Sequence, residues 1–493
     1  MSKYEKEVKC DSNLSFQECE LAILRASVDL ADSKRGKKVV NSPEVQKMIK
    51  ILESFLRKKK LVCYGGSAIN AILPEEDKFY NKDIEIPDYD FYSPNAIENS
   101  KELADIYYNA GYKTVEAKSG SHHGTYKVFV NFIAIADISF MPKDLYNSIK
   151  KDAINIDGIL FAPPNFLRMA SYLELSRPMG QTDRWEKVLK RLSLLNKHYP
   201  LYDSHCYHLN YQRKMENTED EYNEYKIYEI VKNTFIEQEC VFFGSYAIAN
   251  YSTYMPKHEK YIVRKYADFD VLSNDPETTC DIVKERLDNA GIENVKIKKR
   301  EPIGELVPEQ YEISVGDDII GVVYKPVGCH SFNTIKLNGK KVRIATIDTM
   351  LAFYLAFIYA DKPYYDPHRI YCMAKFLFEV QQKNRLRQKG LLRRFTITCY
   401  GHQPSVEELK AEKAEKYKEL RNKKDEDEYK EWFFNYKPGD ITLDEETIEE
   451  FKQYKKKTKT KTKTKKIKTK KIKTQKKTKK TKTKTKKFKI HRK

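Results

Sequence analysis

The sequence predicts an α/β (α+β) protein made of tandem mixed-sheet domains, preceded by a helical region and followed by a disordered basic tail. Three observations predict it. First, residues 61–64 form a short apolar run that stops at Gly65-Gly66-Ser67, and a helical period resumes over 68–73. Second, this passage recurs. Residues 240–248 echo 61–69, Asp268-Phe269-Asp270 lies 180 residues after Asp88-Tyr89-Asp90, and Asn289-Ala290-Gly291 lies 180 after Asn109-Ala110-Gly111. Matches at a shared offset point to two copies of one fold. Third, the charge is partitioned. The chain carries a formal net charge of +20, yet residues 455–493 alone hold 22 Lys and one Arg without an acid. The other 454 residues carry 68 basic and 71 acidic groups, a net of −3.

Each element follows from its local pattern. Residues 1–60 read as helices, with Leu21, Ile23, Leu24, Val28 and Leu30 in one apolar stripe and Val45, Met48, Ile49, Leu52 and Phe55 in another. Ser42-Pro43-Glu44 gives the second helix a cap and a first-turn proline. Residues 61–200 form the first α/β domain. It contains the strand before Gly65, an alternating strand over 84–92, a helix over 96–110 closed by Gly111, and strands around 112–117, 126–132 and 133–140. Residues 201–400 form the second copy, and 401–454 a charged helical segment. The Lys/Thr tail, 455–493, self-repels and buries too little to offset ordering entropy, so it is expected to be disordered. Its chemistry suits a salt-dependent tether for nucleic acid, or a solubilising or targeting tail.

Other classes are excluded by composition. The longest apolar runs are about half the ~20 residues a bilayer requires, so no membrane association is expected. The N-terminus bears charges where a secretory leader needs apolar residues. Nine scattered cysteines without a C-x-x-C spacing predict free thiols in a reducing compartment, and neither a disulfide framework nor a zinc ribbon.

The chemistry concentrates in the first copy. Residues i and i+2 of a strand share a face, so Asp88 and Asp90 would present two carboxylates side by side. Such charges repel unless a cation sits between them. Asp137, inside an apolar strand of the same sheet, is costly as an ion without a partner. Three converging carboxylates suit Mg²⁺ or Mn²⁺ completed by substrate phosphates. Gly65 and Gly66 allow close backbone approach to a phosphate, the following helix start favours anions, and Ser67 adds a hydroxyl. Strand, Gly-Gly-Ser, helix, then Asp-x-Asp reads as nucleotidyl transfer. On residues 164–178, Arg168, Tyr172 and Arg177 fall roughly on one face suited to a base and phosphates. Alternatively, Arg177 and Arg184 simply pair with Glu174 and Asp183. His122 and His123 have a loop setting and no ligand spacing.

At these residues the sequence resembles the DNA polymerase β-like nucleotidyltransferase superfamily, and more closely the poly(A) polymerase catalytic subunit of large cytoplasmic DNA viruses. The closer likeness rests on 161–169 (FAPPNFLRM), 172–178 (YLELSRP) and 184–188 (RWEKV). It covers roughly residues 40–400. The resemblance implies ATP-dependent addition of poly(A) to mRNA 3′ ends with Mg²⁺ or Mn²⁺. It makes Asp88, Asp90 and Asp137 catalytic metal ligands, Asp137 the activator of the primer hydroxyl, and Gly65, Gly66, Ser67, Arg168, Tyr172, Arg177 and Lys187 nucleotide binders. The implied partners are ATP, an RNA 3′ end, and either a second copy of the chain or a cap-methyltransferase-like processivity subunit. The implied location is host cytoplasm, virion or both.

The second copy keeps Gly244-Ser245 and Asp268-x-Asp270, but Asp137 aligns with Gly321 and Arg168 with Leu351. It is therefore expected to be degenerate. Other readings stay open on the residues alone: transfer from UTP or CTP, a small-molecule or protein acceptor, a metal-dependent glycosyltransferase, or an RNA-binding scaffold without catalysis.

Overall fold

The computed structural model describes residues 42–80, 89–202, 205–206, 221–260 and 268–439, and most of 15–31. Asp88, Leu30 and the 455–493 tail, singled out above, lie outside the described residues. So does 440–454, the end of the charged segment.

Residues 61–161 fold because apolar residues alternate along strands and recur every third or fourth position along helices. Helix Pro43–Lys59 buries Val45, Met48, Leu52, Phe55 and Leu56 and is stopped by Lys60 in a left-handed conformation. The apolar residues Phe16, Leu21, Ile23, Leu24 and Val28 ahead of it are exposed. The strands that follow are β1 (Val62–Tyr64), β2 (Tyr89–Ser93), β3 (Val115–Ser119), β4 (Thr125–Val130), β5 (Ile133–Phe140), β6 (Ile154–Ile156) and β7 (Ile159–Phe161). Helix Gly65–Ile72 follows β1, helix Ala96–Asn109 follows β2, and helix Pro164–Leu175 follows β7.

The second half supplies β8 (Val241–Phe242), β9 (Phe269–Leu272), β10 (Val295–Arg300), β11 (Gln310–Val315), β12 (Asp318–Tyr324), β13 (His330–Leu337), β14 (Lys340–Ala345), β15 (Cys399–Tyr400) and β16 (Asn435–Tyr436). Two eight-stranded mixed sheets result. Their orders are β16-β3-β4-β5-β2-β1-β7-β6 and β10-β11-β12-β9-β8-β14-β13-β15. Once the edge strands β16 and β15 are set aside, the seven-strand orders are the same, and so are the directions. Each has one parallel pair at the aspartate strand, β2 with β5 and β9 with β12, and one beside the glycine strand, β1 with β7 and β8 with β14. The repeat in the sequence is thus a duplicated sheet.

The copies are joined through equivalent helices. Pro164–Leu175 of the first packs on Ile347–Tyr359 of the second, with the Phe166 and Tyr359 rings edge to face at 5.5 Å. Helix Ile347–Tyr359 is buried almost all round, as its unbroken apolar sequence requires. The charged segment does form helices, Val406–Leu420 and Asp427–Phe433, but it also returns β16 to pair with β3.

The free-thiol expectation is corrected. Cys206 is bonded to Cys372 and Cys329 to Cys399, while Cys63, Cys240 and Cys280 are buried thiols. Pairs separated by 166 and 70 residues leave no spacing signal, because only the tertiary fold brings them together.

Candidate active site

Strand register builds the site. Tyr64 of β1 is level with Asp90 of β2, Asp90 with Asp137 of β5, and Asp137 with Lys127 of β4. Four residues on four adjacent strands therefore form one row across the sheet face. Asp90 and Asp137 stand side by side, as paired carboxylates must to share a cation. Lys127 forms an ion pair with Asp137, both side chains between a quarter and two-fifths exposed. Two residues further along each strand lies a second row on the same face. There Tyr92 stacks on Tyr64 at 3.9 Å, and Ser139 bonds to Tyr64 (2.8 Å) and Thr125 (3.1 Å). Burial raises the Tyr64 hydroxyl above its ordinary value, the Ser139 bond opposes this, and Asp90 and Asp137 add to the rise. Tyr64 thus stays neutral beside the carboxylates.

The glycine turn abuts this row. Gly65 has φ +73°, and a side-chain carbon there would lie 2.8 Å from Asp90 Oδ2. Only glycine permits both the left-handed conformation and this approach. A side-chain carbon at Gly66 would lie 2.7 Å from Arg191 Nη1 and 2.7 Å from the Tyr80 hydroxyl. Ser67 is buried in the first turn, and the N-cap, Tyr64, makes no side-chain capping bond. The first amides of helix Gly65–Ile72 are thus directed at the space beside the carboxylates. Arg191 comes from helix Trp185–His198, lies over the Phe79 and Tyr80 rings and donates to the Tyr80 hydroxyl at 2.7 Å.

The residues of 164–187 separate. Arg168 is fully buried, and its guanidinium is consumed by Asn196, Asn165 and the Tyr199 carbonyl. Its expected place on a phosphate-binding face is corrected: it ties two helices together. Tyr172 is fully buried on the same helix, its hydroxyl pushed up to about 12 chiefly by burial. It too is removed from an exposed phosphate face. Arg177 sits at the seam between copies. A side-chain carbon at Gly328 would lie 2.8 Å from its Nε, and that nitrogen is buried without a hydrogen-bond partner. Arg184 pairs with Glu174 at 3.3 Å, and Lys187 is exposed. Arg191 and Lys127 are the residues that pattern reading missed. Arg191 lies one helical turn beyond Lys187. Lys127 is ten residues before Asp137, a distance that becomes a contact only through the β4–β5 hairpin.

The second copy preserves the frame and loses the chemistry. A side-chain carbon at Gly244 would lie 2.8 Å from the Asp270 backbone nitrogen, so the turn again needs glycine. Asp270, however, is level with Val322, and Val322 with Glu312. The observed register replaces the expected Gly321 by Val322 as counterpart of Asp137. Neither supplies an oxygen. Glu312 stands in the place of Lys127 and is held by Arg300 Nε at 2.9 Å. Ser245 bonds to the Asp268 carboxylate and carbonyl.

Residues 50–181 match the family model of the poly(A) polymerase catalytic subunit. That segment contains the glycine turn, Asp90, Lys127 and Asp137. Two relatives bear the provisional name poly(A) polymerase catalytic subunit. The one from African swine fever virus (strain Badajoz 1971 Vero-adapted) is 32% identical over 171 residues, 34% of this chain and 36% of the relative. The one from Acanthamoeba polyphaga mimivirus is 33% identical over 164 residues, 32% of this chain and 28% of the relative. The chain thus matches about a third of the length of these relatives. The solved structure titled as the Megavirus polyadenylate synthase superposes with a TM-score of 0.72 over 92% of both chains at 22% identity. That likeness shows the shared fold.

Proposed function

We propose that the chain is a template-independent polynucleotide adenylyltransferase that extends RNA 3′ ends from ATP. The observation that carries this reading is the row Tyr64, Asp90, Asp137, Lys127 placed against the Gly65-Gly66 turn, inside the segment that matches the family model.

In this reading residues 61–200 are the catalytic domain and 201–400 a non-catalytic brace. Hard carboxylate oxygens at neighbouring positions fit Mg²⁺ or Mn²⁺, which Asp90, Asp137 and, by its place in the Asp-x-Asp motif, Asp88 would hold. The ion pair of Lys127 with Asp137 already shows that the row accepts a cation. When bound, the metal supplies charge neutralisation at the reacting phosphate. The chain's own groups do the rest. Helix amides at Gly66 and Ser67, with Arg191, bind the triphosphate, and Arg177 and Lys187 extend the cationic wall. Asp137 takes the proton from the primer 3′-hydroxyl as that oxygen bonds to the ATP α-phosphorus. The bond to the bridging oxygen breaks, and pyrophosphate leaves carrying the electron pair.

The test is extension of a labelled RNA primer with each nucleoside triphosphate supplied singly. The reading expects long ladders with ATP alone. Ladders with UTP or CTP would move the chain to another terminal transferase class, and RNA binding without extension would make it a scaffold.

A further inference from the structure

A cavity of about 400 Å³ lies between helix Trp185–His198 of the first copy and helix Pro367–Lys383 of the second. Its walls are chemically mixed. Tyr172 and Phe378 offer aromatic surface, Asn196 and Gln381 offer amides, and Lys197 and Arg394 line its edge. Gln381 is only 6% exposed, and its Oε1 accepts from the Tyr172 hydroxyl at 3.4 Å. Its Nε2 is buried and has no hydrogen-bond partner. A buried amide donor left unmade beside an open cavity is a group prepared for an acceptor brought by something else.

The chain leaving this helix is basic. Residues 381–395 contain six Lys or Arg and no acid. Arg385, Arg387, Lys389 and Arg393 are exposed, and Leu386 between them is 90% exposed. The segment ends at Phe395, whose ring lies 5.8 Å from Trp185. The cations at the cavity itself are already compensated. Arg394 is gripped by Asp348 (3.1 and 2.6 Å), and Lys197 is paired with Asp77 at 2.5 Å. Positive charge is therefore spread along a strip and not gathered at one point, a distribution suited to a polyanion strand more than to a free triphosphate.

We propose that this cavity is a second nucleotide site, which receives an unstacked base of single-stranded RNA upstream of the 3′ end while the 383–393 strip holds its phosphates. The proposal rests on the RNA-extending reading above. Stacking surface plus amides matches how unstacked bases are held, and the volume falls within the range of small-ligand pockets. Arg191 meets the glycine turn, whereas Ser193, Asn196 and Lys197 line the cavity from the other side of the same helix. The two places are thus about one helix diameter, ~10 Å, apart. A primer of two or three nucleotides ends before the cavity, and one of about fifteen crosses it.

The test uses the full chain, whose lysine tail adds the same background to every variant. Fluorescence anisotropy with a labelled oligo(A) of about fifteen nucleotides is compared for wild type, Gln381→Met and the triple variant Arg385→Glu/Arg387→Glu/Lys389→Glu. Gln381→Met removes a donor that has no partner, so the fold should be kept while the long oligonucleotide binds about five-fold more weakly. The triple variant should lower the slope of log Kd against log salt by about 2, at roughly 0.7 for each phosphate that is no longer neutralised. Extension of the short primer should not change in either variant. Unchanged affinity for the long oligonucleotide in both variants overturns the site, as does equal weakening of short and long primers. A raised KM for ATP in Gln381→Met with RNA affinity intact also overturns it, by making the cavity a mononucleotide site. A wild-type chain that binds the long oligonucleotide through these residues but extends no primer would refute the transfer reading and leave this site standing.

Discussion

Asp90 faces Asp137 at the same level of two adjacent parallel strands, whereas its counterpart in the second copy, Asp270, faces Val322. The sheets share their strand order and directions, so the difference lies in side chains set at one level. One row carries two carboxylates and a lysine. The other carries one carboxylate, a valine and a glutamate already bound by Arg300.

Divalent metal binding should follow that difference. Titration with Mn²⁺ is expected to reveal a site that is lost in Asp90→Ala and Asp137→Ala and unchanged in Asp270→Ala. Lys127→Met removes a cation that competes for Asp137, so it should lower the Mn²⁺ concentration at half-saturation several-fold.

Gly65→Ala separates strain from chemistry. The left-handed backbone costs about 1–2 kcal/mol with a Cβ present, a small fall in melting temperature. The added carbon also meets Asp90 Oδ2 at 2.8 Å and displaces that carboxylate. A shift of about 1 Å is enough for a ~100-fold loss of rate. Activity should therefore fall far more than stability, measured on the same preparation.

Two arginines on neighbouring helices should behave oppositely. Arg168→Met leaves buried acceptors at Asn196, Asn165 and Tyr199 unmatched, which should cost at least about 3 kcal/mol in denaturant unfolding. Arg191→Ala loses a cation beside Gly66. It should raise the KM for ATP by about ten-fold or more, as loss of a charged hydrogen bond worth roughly 1.5–3 kcal/mol requires.

Acid stability should depend on His330. Both imidazole nitrogens are buried without a partner, and burial, with the Arg177 charge adding, pushes the group down to about 3. Between about pH 6.5 and 3 the unfolded chain takes up a proton that the folded chain refuses. Stability then falls as pH drops, by about 1.4 kcal/mol per unit for this one group. His330→Phe should flatten the dependence of the urea midpoint between pH 7 and 5. An unaltered slope would show that His330 is accessible to protons.

The duplication was legible because Gly-Ser and Asp-x-Asp strings recur at one offset. The glycine turn was legible because Gly65 must satisfy both a left-handed φ and an adjacent carboxylate. Lys127 was not, since its partner depends on hairpin register, and neither was the replacement of Asp137 by Val322, which is displaced one residue from a match made on Met141-Pro142 and Lys325-Pro326. Arg168 looked functional because helical spacing records which face a residue is on, and not that neighbouring helices cover that face. The strand β16 returns from 435–436 to the first sheet across more than 300 residues, a pairing that no local pattern can announce.

The most direct measurement of the central claim is incorporation of label from α-labelled ATP onto an RNA 3′ end by wild type, Asp137→Ala and Asp270→Ala. The account predicts a loss of at least about 100-fold in Asp137→Ala and a rate within two-fold of wild type in Asp270→Ala. Full activity in Asp137→Ala, or an equal loss in a correctly folded Asp270→Ala, would contradict it.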